Sequence, residues 1–172
     1  MHLLQTLLLL VFPALVITGA LRDLVSYTIP NWISVALAVG FPIAALAMGL
    51  PLPTIGFQVA VGVAALVAGM VMFAMRWIGG GDAKLFAAAA LWLGWPSLMP
   101  FLAVTGLAGG ALAVTLLGLR SPIMRGYVVN GPAWFARLVE PEENVPYGVA
   151  IAVGALVAFP GSALMQGLGL PI

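Results

Sequence analysis

The chain contains only two aspartates, Asp23 and Asp82, and each lies beside a long apolar segment. Asp82 belongs to a glycine-rich run, Gly79-Gly80-Gly81-Asp82-Ala83-Lys84. A carboxylate at the edge of a hydrocarbon region is unfavourable, so such residues are candidates for function. Two carboxyl groups held close together cannot both ionise easily, and one therefore keeps a proton. One ionised and one protonated carboxyl are the smallest set of groups that can hydrolyse an amide bond by general base and general acid catalysis.

The composition is that of an integral membrane protein. Of the 172 residues, 63% are hydrophobic and only 6% are charged, and the mean hydropathy is +1.19. Soluble domains carry about 25% charged residues, so a soluble fold could not cover its surface with so few. We expect a single transmembrane domain over residues 1–172, with no room for a second, soluble domain.

Several kinds of chemistry are excluded by residue counts. The chain has no cysteine and a single histidine, His2, which leaves no thiol nucleophile, no cysteine-ligated zinc and no histidine-based metal site. We therefore expect no metal and no cofactor. The net charge of +1 gives no indication of nucleic acid, and no nucleic-acid partner is expected.

The apolar segments predict an all-α polytopic fold with about six membrane spans. The first segment is expected to be a retained span rather than a signal peptide, because no basic residue precedes it and Arg22 follows it. The fourth is short: from Lys84 to Trp95 a helix would reach about 18 Å, against a hydrocarbon core of about 30 Å. The predicted spans are residues 3–21, 32–50, 54–75, 84–95, 98–119 and 147–168.

The basic residues predict the topology. With six spans, all six Lys and Arg residues fall on one side, which the positive-inside rule makes cytoplasmic. A five-span alternative would split them between the two sides. Residues 120–146 are then a cytoplasmic loop, and Asp23 and Asp82 both lie at cytoplasmic span ends. The six residues are Arg22, Arg76, Lys84, Arg120, Arg125 and Arg137.

The tryptophans fall mostly near predicted span ends. Such positions are typical of an aromatic belt at the membrane–water interface. The five are Trp32, Trp77, Trp92, Trp95 and Trp134.

Structural roles for the same polar residues stay open. Asp82 could be the N-cap of the fourth helix, and Asp23 could pair with Arg22 at the interface. Asn31 is expected to cap the second helix, and Lys84 to anchor at the membrane surface or to bias the aspartate pair. The aspartates could also serve as ion ligands in a small proton- or cation-coupled transporter, or as caps in a scaffold subunit without chemistry.

Three motifs resemble the type IV prepilin peptidases, the GxGD membrane aspartyl proteases. Asp23 followed after six residues by Pro30-Asn31 resembles their first catalytic segment, and Gly79-Gly80-Gly81-Asp82 with Lys84 resembles their GxGD motif. Tyr147-Gly148 resembles their late aromatic-glycine element. The resemblance implies that Asp23 and Asp82 are catalytic and that the other motif residues support the site.

The resemblance also implies a function. Family members remove the cytoplasmic leader from prepilin-like substrates, each a single hydrophobic helix, in the inner membrane beside a pilus assembly system. This chain lacks the cysteine-containing insertion of the larger members, which also N-methylate their product. It resembles the short form of Flp/Tad-type pilus systems or the archaeal preflagellin peptidases, and we expect no methyl transfer.

Overall fold

A computed structural model describes residues 2–121, 123–124, 132–140 and 143–167. The described parts are helical throughout, with no strand among them, which confirms the predicted all-α class. Prolines stand immediately before α2 and α3, where a fixed φ and a missing N–H suit a helix start. The described helices are α1 (His2–Ser26), α2 (Asn31–Ala47), α3 (Leu52–Ala74), α4 (Gly80–Leu93), α5 (Leu98–Leu119), α6 (Ala133–Leu138), α7 (Tyr147–Ala158) and α8 (Ala163–Gln166).

Four helical segments are long and apolar enough to cross a membrane. They are Leu3–Ser26, Leu52–Ala74, Leu98–Leu119 and Tyr147–Gln166. A shorter apolar helix covers Asn31–Ala47. The protein is thus a polytopic membrane protein, whereas the number of six spans stays a prediction.

The short fourth helix exists, but its bounds differ from the prediction. It begins at Gly80 and ends at Leu93, about four residues earlier than expected at its start, and so encloses Asp82 in its first turn. At 14 residues it is about 21 Å long. The last predicted span is also interrupted, because Pro160 lies in a 3₁₀ turn, Phe159–Gly161, that separates α7 from α8.

Helix α4 lies at the centre of the bundle. It packs mainly against α3, and also against α2 and α7. Alanines on α4 and glycines on α3 allow this closeness: a Cβ added to Gly62 would lie 2.9 Å from Cβ of Leu91, and one on Gly69 would lie 3.1 Å from Cβ of Ala83. Small residues at such interfaces let helix backbones approach within a membrane. The position of α4, and hence of Asp82, is fixed from several sides.

Trp92 is a buried core residue, so its assignment to an aromatic belt is wrong. Its side chain is 0% exposed, and its Nε1 donates a hydrogen bond of 2.8 Å to the carbonyl of Leu37 on α2. Its ring stacks on Phe12 of α1 at 5.3 Å between centroids. The other four tryptophans are exposed at or near helix ends, as expected for belt residues.

Candidate active site

Both aspartates lie at one end of the bundle, where α1 ends and α4 begins. Asp23 is in the last turn of α1 and 5% exposed, and Asp82 is in the first turn of α4 and 8% exposed. The two side chains line the same two cavities, of about 320 and 280 Å³. Residues 59 positions apart in the sequence therefore meet at one site, as the motifs predicted.

Asp23 is held by the first turn of α7. The backbone N–H of Gly148 donates a hydrogen bond of 2.8 Å to Oδ2 of Asp23. A Cβ added to Gly148 would lie 2.9 Å from both Cβ and Oδ2 of Asp23, so only glycine allows this approach. Arg22 lies on the exposed surface of α1, whereas Asp23 is buried and accepts its hydrogen bond from Gly148. The alternative in which Asp23 pairs with Arg22 is therefore wrong. The aromatic-glycine element thus positions one of the two carboxylates.

The backbone at the start of α4 positions the side chain of Asp82. Its Oδ2 accepts a hydrogen bond of 3.2 Å from the N–H of Gly79, which is the residue in the N-cap position. Asp82 is the third residue of α4 and not the N-cap residue itself, but its bond to the Gly79 N–H caps this helix start, so the expected capping role is present. Its Oδ1 is buried and has no partner among the described residues. A buried oxygen in that state requires a partner from water or a ligand.

The three glycines before Asp82 permit close contact. A Cβ on Gly79 would lie 2.9 Å from Oδ2 of Asp82, and one on Gly81 would lie 3.1 Å from Cβ of Ile29, which follows α1. A Cβ on Gly80 would lie 3.3 Å from the ring of Phe73. A side chain at position 81 would push the α4 start away from Ile29, and one at position 79 would displace the carboxylate of Asp82. The run is a packing element of the site as well as a turn.

Pro30, Asn31 and Lys84 meet at the edge of the site. Pro30 takes the N-cap position of α2, and Asn31 is the first helical residue, with no side-chain cap bond at that helix start. The prediction that Asn31 caps α2 is therefore wrong. Its Oδ1 instead accepts a hydrogen bond of 2.8 Å from Nζ of Lys84, which joins α2 to α4. Lys84 is exposed, in keeping with a surface position.

Two site residues were missed from the sequence. Tyr27 and Arg76 follow the ends of α1 and α3, have φ of 54° and 61°, and line the larger cavity with Tyr147. Left-handed backbone is uncommon for side chains other than Gly, Asn and Asp, and no sequence signal marks these two. Burial is the main cause that raises the pKa of the Tyr27 phenol, and the negative charge of the nearby Glu143 adds to it, so the neutral phenol is favoured.

The described basic residues gather at this same end. Arg120 donates from Nε to the carbonyl of Leu138 and from a terminal nitrogen to that of Asn144, each at 3.0 Å. The guanidinium of Arg137 lies 4.9 Å from the centroid of the Tyr27 ring. Arg76 lines the larger cavity. Described parts of the 120–146 loop therefore pack beside the aspartates, while Arg125 lies outside the described residues.

The fold and the site define a class: a helical membrane protein with two buried carboxylates facing shared cavities. Within the described residues, no group of three His, Cys, Asp or Glu side chains could hold a metal ion. A comparison with protein families gives a match to the type IV leader peptidase family over residues 10–114, which include both aspartates. The chain belongs to this family of peptidases, as the motifs indicated. No curated protein and no solved structure matches the chain.

Proposed function

We propose that the protein is an aspartic endopeptidase that removes the leader peptide from prepilin-like precursors, with Asp23 and Asp82 as its catalytic pair. The observation that carries the proposal is the buried pair itself: each carboxylate has one oxygen fixed by a backbone N–H, and both line the same cavities. Oδ1 of Asp82 is buried without a partner among the described residues, and this supports the proposal because it leaves an oxygen available to a water or a substrate.

The chemistry needs one ionised and one protonated carboxyl. The ionised carboxyl takes a proton from water as the water oxygen bonds to the scissile carbonyl carbon. The protonated carboxyl gives its proton to the carbonyl oxygen, which becomes a hydroxyl of the tetrahedral intermediate. The first carboxyl then passes the proton it took from water to the amide nitrogen and the carbon–nitrogen bond breaks, while a hydroxyl of the intermediate returns a proton to the second carboxylate. An acid and an amine leave. The two aspartates supply every proton movement, and the pair returns to its starting state.

The substrate is a single apolar helix with a polar leader. Its backbone must leave helical geometry at the cut, because helical amides are already hydrogen-bonded. A glycine before the scissile bond lowers the penalty of unwinding, since glycine has no β-carbon and adopts many backbone angles. We place the site on the cytoplasmic face of the inner membrane, since the described basic residues lie at the end of the bundle that carries the aspartates. A pilus assembly system would take up the mature product.

We further propose that the enzyme does not methylate its product. The chain has no cysteine and lacks the insertion that accompanies methyl transfer in the larger family members. The same short form would suit a preflagellin precursor, because both kinds of substrate present a leader and one apolar helix.

The proposal is tested by measuring how much precursor is converted to mature product by membranes that contain each variant. Asp23→Asn and Asp82→Asn keep the side-chain volume and remove the ionisable group, and each should abolish cleavage at matched protein levels. The double variant should be little worse than either single variant, because residues that act as a unit are not additive. Substantial cleavage by either Asn variant would contradict the two-aspartate mechanism and favour the transporter or scaffold alternatives.

A further inference from the structure

An open groove of about 620 Å³ runs along the membrane-facing side of the bundle between α2 and α3, and we name it the lateral groove. Helices α2 and α3 both pack on α4 and barely touch each other within the described residues, so α4 forms the floor. The groove is defined here by Ser34, Ala38 and Pro42 on α2, Val63 and Leu66 on α3, and Ala88 on α4.

The floor and walls suit a helix. Gly62 on α3 and Ala87 and Ala88 on α4 line the groove, and small residues of this kind let a helix backbone approach closely in a membrane. Along α2 the lining extends from Asn31 to Pro42, a rise of about 16 Å, or three turns. The groove is therefore long enough for about three turns of a helix, and its open side would leave part of that helix facing lipid.

The lateral groove is continuous with the aspartate site. Asn31 lines both the groove and the smaller of the two cavities that contain Asp23 and Asp82. Lys84 also lines the groove and donates its hydrogen bond to Asn31 at this boundary. The polar side chains of the groove are Asn31, Ser34 and Lys84, all at the end beside the aspartates, and the lining beyond them is apolar. A chain lying in the groove would thus pass from an apolar surface directly into the cleavage site.

We propose that the lateral groove seats the transmembrane helix of the precursor and sets which peptide bond reaches the aspartates. This inference rests on the proposed function. The occupant is an apolar helix rather than a lipid, because the floor of small residues suits helix packing and the polar end leads to a buried catalytic pair. The polar leader would continue past Asn31 into the cavities.

Disulfide crosslinking tests the docking directly, since the chain has no cysteine of its own. The probe is a designed precursor with a polar leader, a glycine before the cut and one apolar helix of about 20 residues. Its single cysteine stands seven residues into that helix, because Ala38 lies seven residues along α2 from Asn31. The enzyme carries Asp82→Asn, so that the precursor persists, together with either Ala38→Cys or Ala68→Cys.

Ala68 is the matched control. It is exposed like Ala38, does not line the groove, and lies on the opposite face of α3 from it. We expect at least tenfold more crosslinked product from position 38 than from position 68 in vesicles. Equal yields, as expected if only lipid fills the groove, would overturn the proposal.

A second measurement tests the lateral groove by filling it with a larger side chain instead of by crosslinking. Ala38→Trp should raise KM for the same precursor at least fivefold by filling the groove, whereas Ala68→Trp should stay within twofold of the unmodified enzyme. An unchanged KM for Ala38→Trp would overturn the groove. Failure of the unmodified enzyme to cleave any such precursor would contradict the proposed function instead, so the two failures are distinguishable.

Discussion

Gly148 offers the sharpest test of how the site is positioned. In Gly148→Ala the new Cβ would lie 2.9 Å from Cβ and Oδ2 of Asp23 and 3.0 Å from Cδ1 of Ile29. Carbon atoms pack at about 3.5–4.0 Å, so Asp23 and the start of α7 must separate by at least about 0.5 Å. That shift lengthens the 2.8 Å hydrogen bond from the N–H of Gly148 and displaces the carboxylate of Asp23 within the site.

The expected loss of activity follows from this displacement. A misplacement of about 1 Å in an active site can lower the rate 10²-fold, so we expect Gly148→Ala to lower kcat between about tenfold and a hundredfold. Overpacking should also destabilise the fold by about 1–3 kcal/mol. The assay is precursor cleavage in detergent, with thermal unfolding measured on the same preparation so that kcat refers to folded enzyme.

Gly110 on α5 provides the control. It is exposed, and a Cβ added to it would meet no atom within 4 Å. Gly110→Ala should therefore leave kcat unchanged and stabilise the helix by about 0.5–1 kcal/mol. A folded Gly148→Ala enzyme with kcat within twofold of the unmodified protein would refute the argument that this glycine fixes Asp23.

Three further outcomes are expected. Lys84→Ala removes the hydrogen bond to Asn31 and should slow cleavage less than tenfold. Lys84→Gln keeps a hydrogen-bond donor and should retain most of the rate. Complete inactivation by Lys84→Ala would instead mean that Lys84 takes a direct part in the chemistry. Trp92→Phe removes the buried bond to Leu37 and should lower the free energy of unfolding by about 1 kcal/mol with little change in kcat, as measured by denaturation in detergent. Mass spectrometry of the mature product should find an unmodified amino terminus, and a product heavier by one methyl group, made by this protein alone, would contradict the absence of methyl transfer.

The main features of the fold and site were predictable because they depend on composition and on rare residues. Apolar segments of sufficient length must be helical in a membrane, since every backbone group has to be hydrogen-bonded internally. Charged residues are so few that two aspartates beside apolar segments stand out. The run before Asp82 and the pair Tyr147-Gly148 marked the places where α4 and α7 approach α1.

The missed features have separate physical causes. Hydropathy cannot tell a side chain that faces lipid from one that faces another helix, since lipid tails are as apolar as leucine. Trp92 was therefore placed in a belt although it is buried. Asn31 was expected to cap its own helix, but its side chain bonds to Lys84, which is 53 residues away in the sequence. A contact over that separation leaves no signal in the local sequence. The left-handed backbone at Tyr27 and Arg76 depends on helix ends that have no glycine to mark them.

The central position of α4 has a consequence for protein engineering. The first turn of this helix carries Asp82, and the turns that follow supply Lys84, Ala87 and Ala88 to the lateral groove. A helix moves as a rigid unit, so a larger residue on the floor would also displace the carboxylate. Attempts to retarget the enzyme should therefore vary the walls on α2 and α3, such as Ala38 and Val63, whose exposed side chains can change size without moving the aspartates.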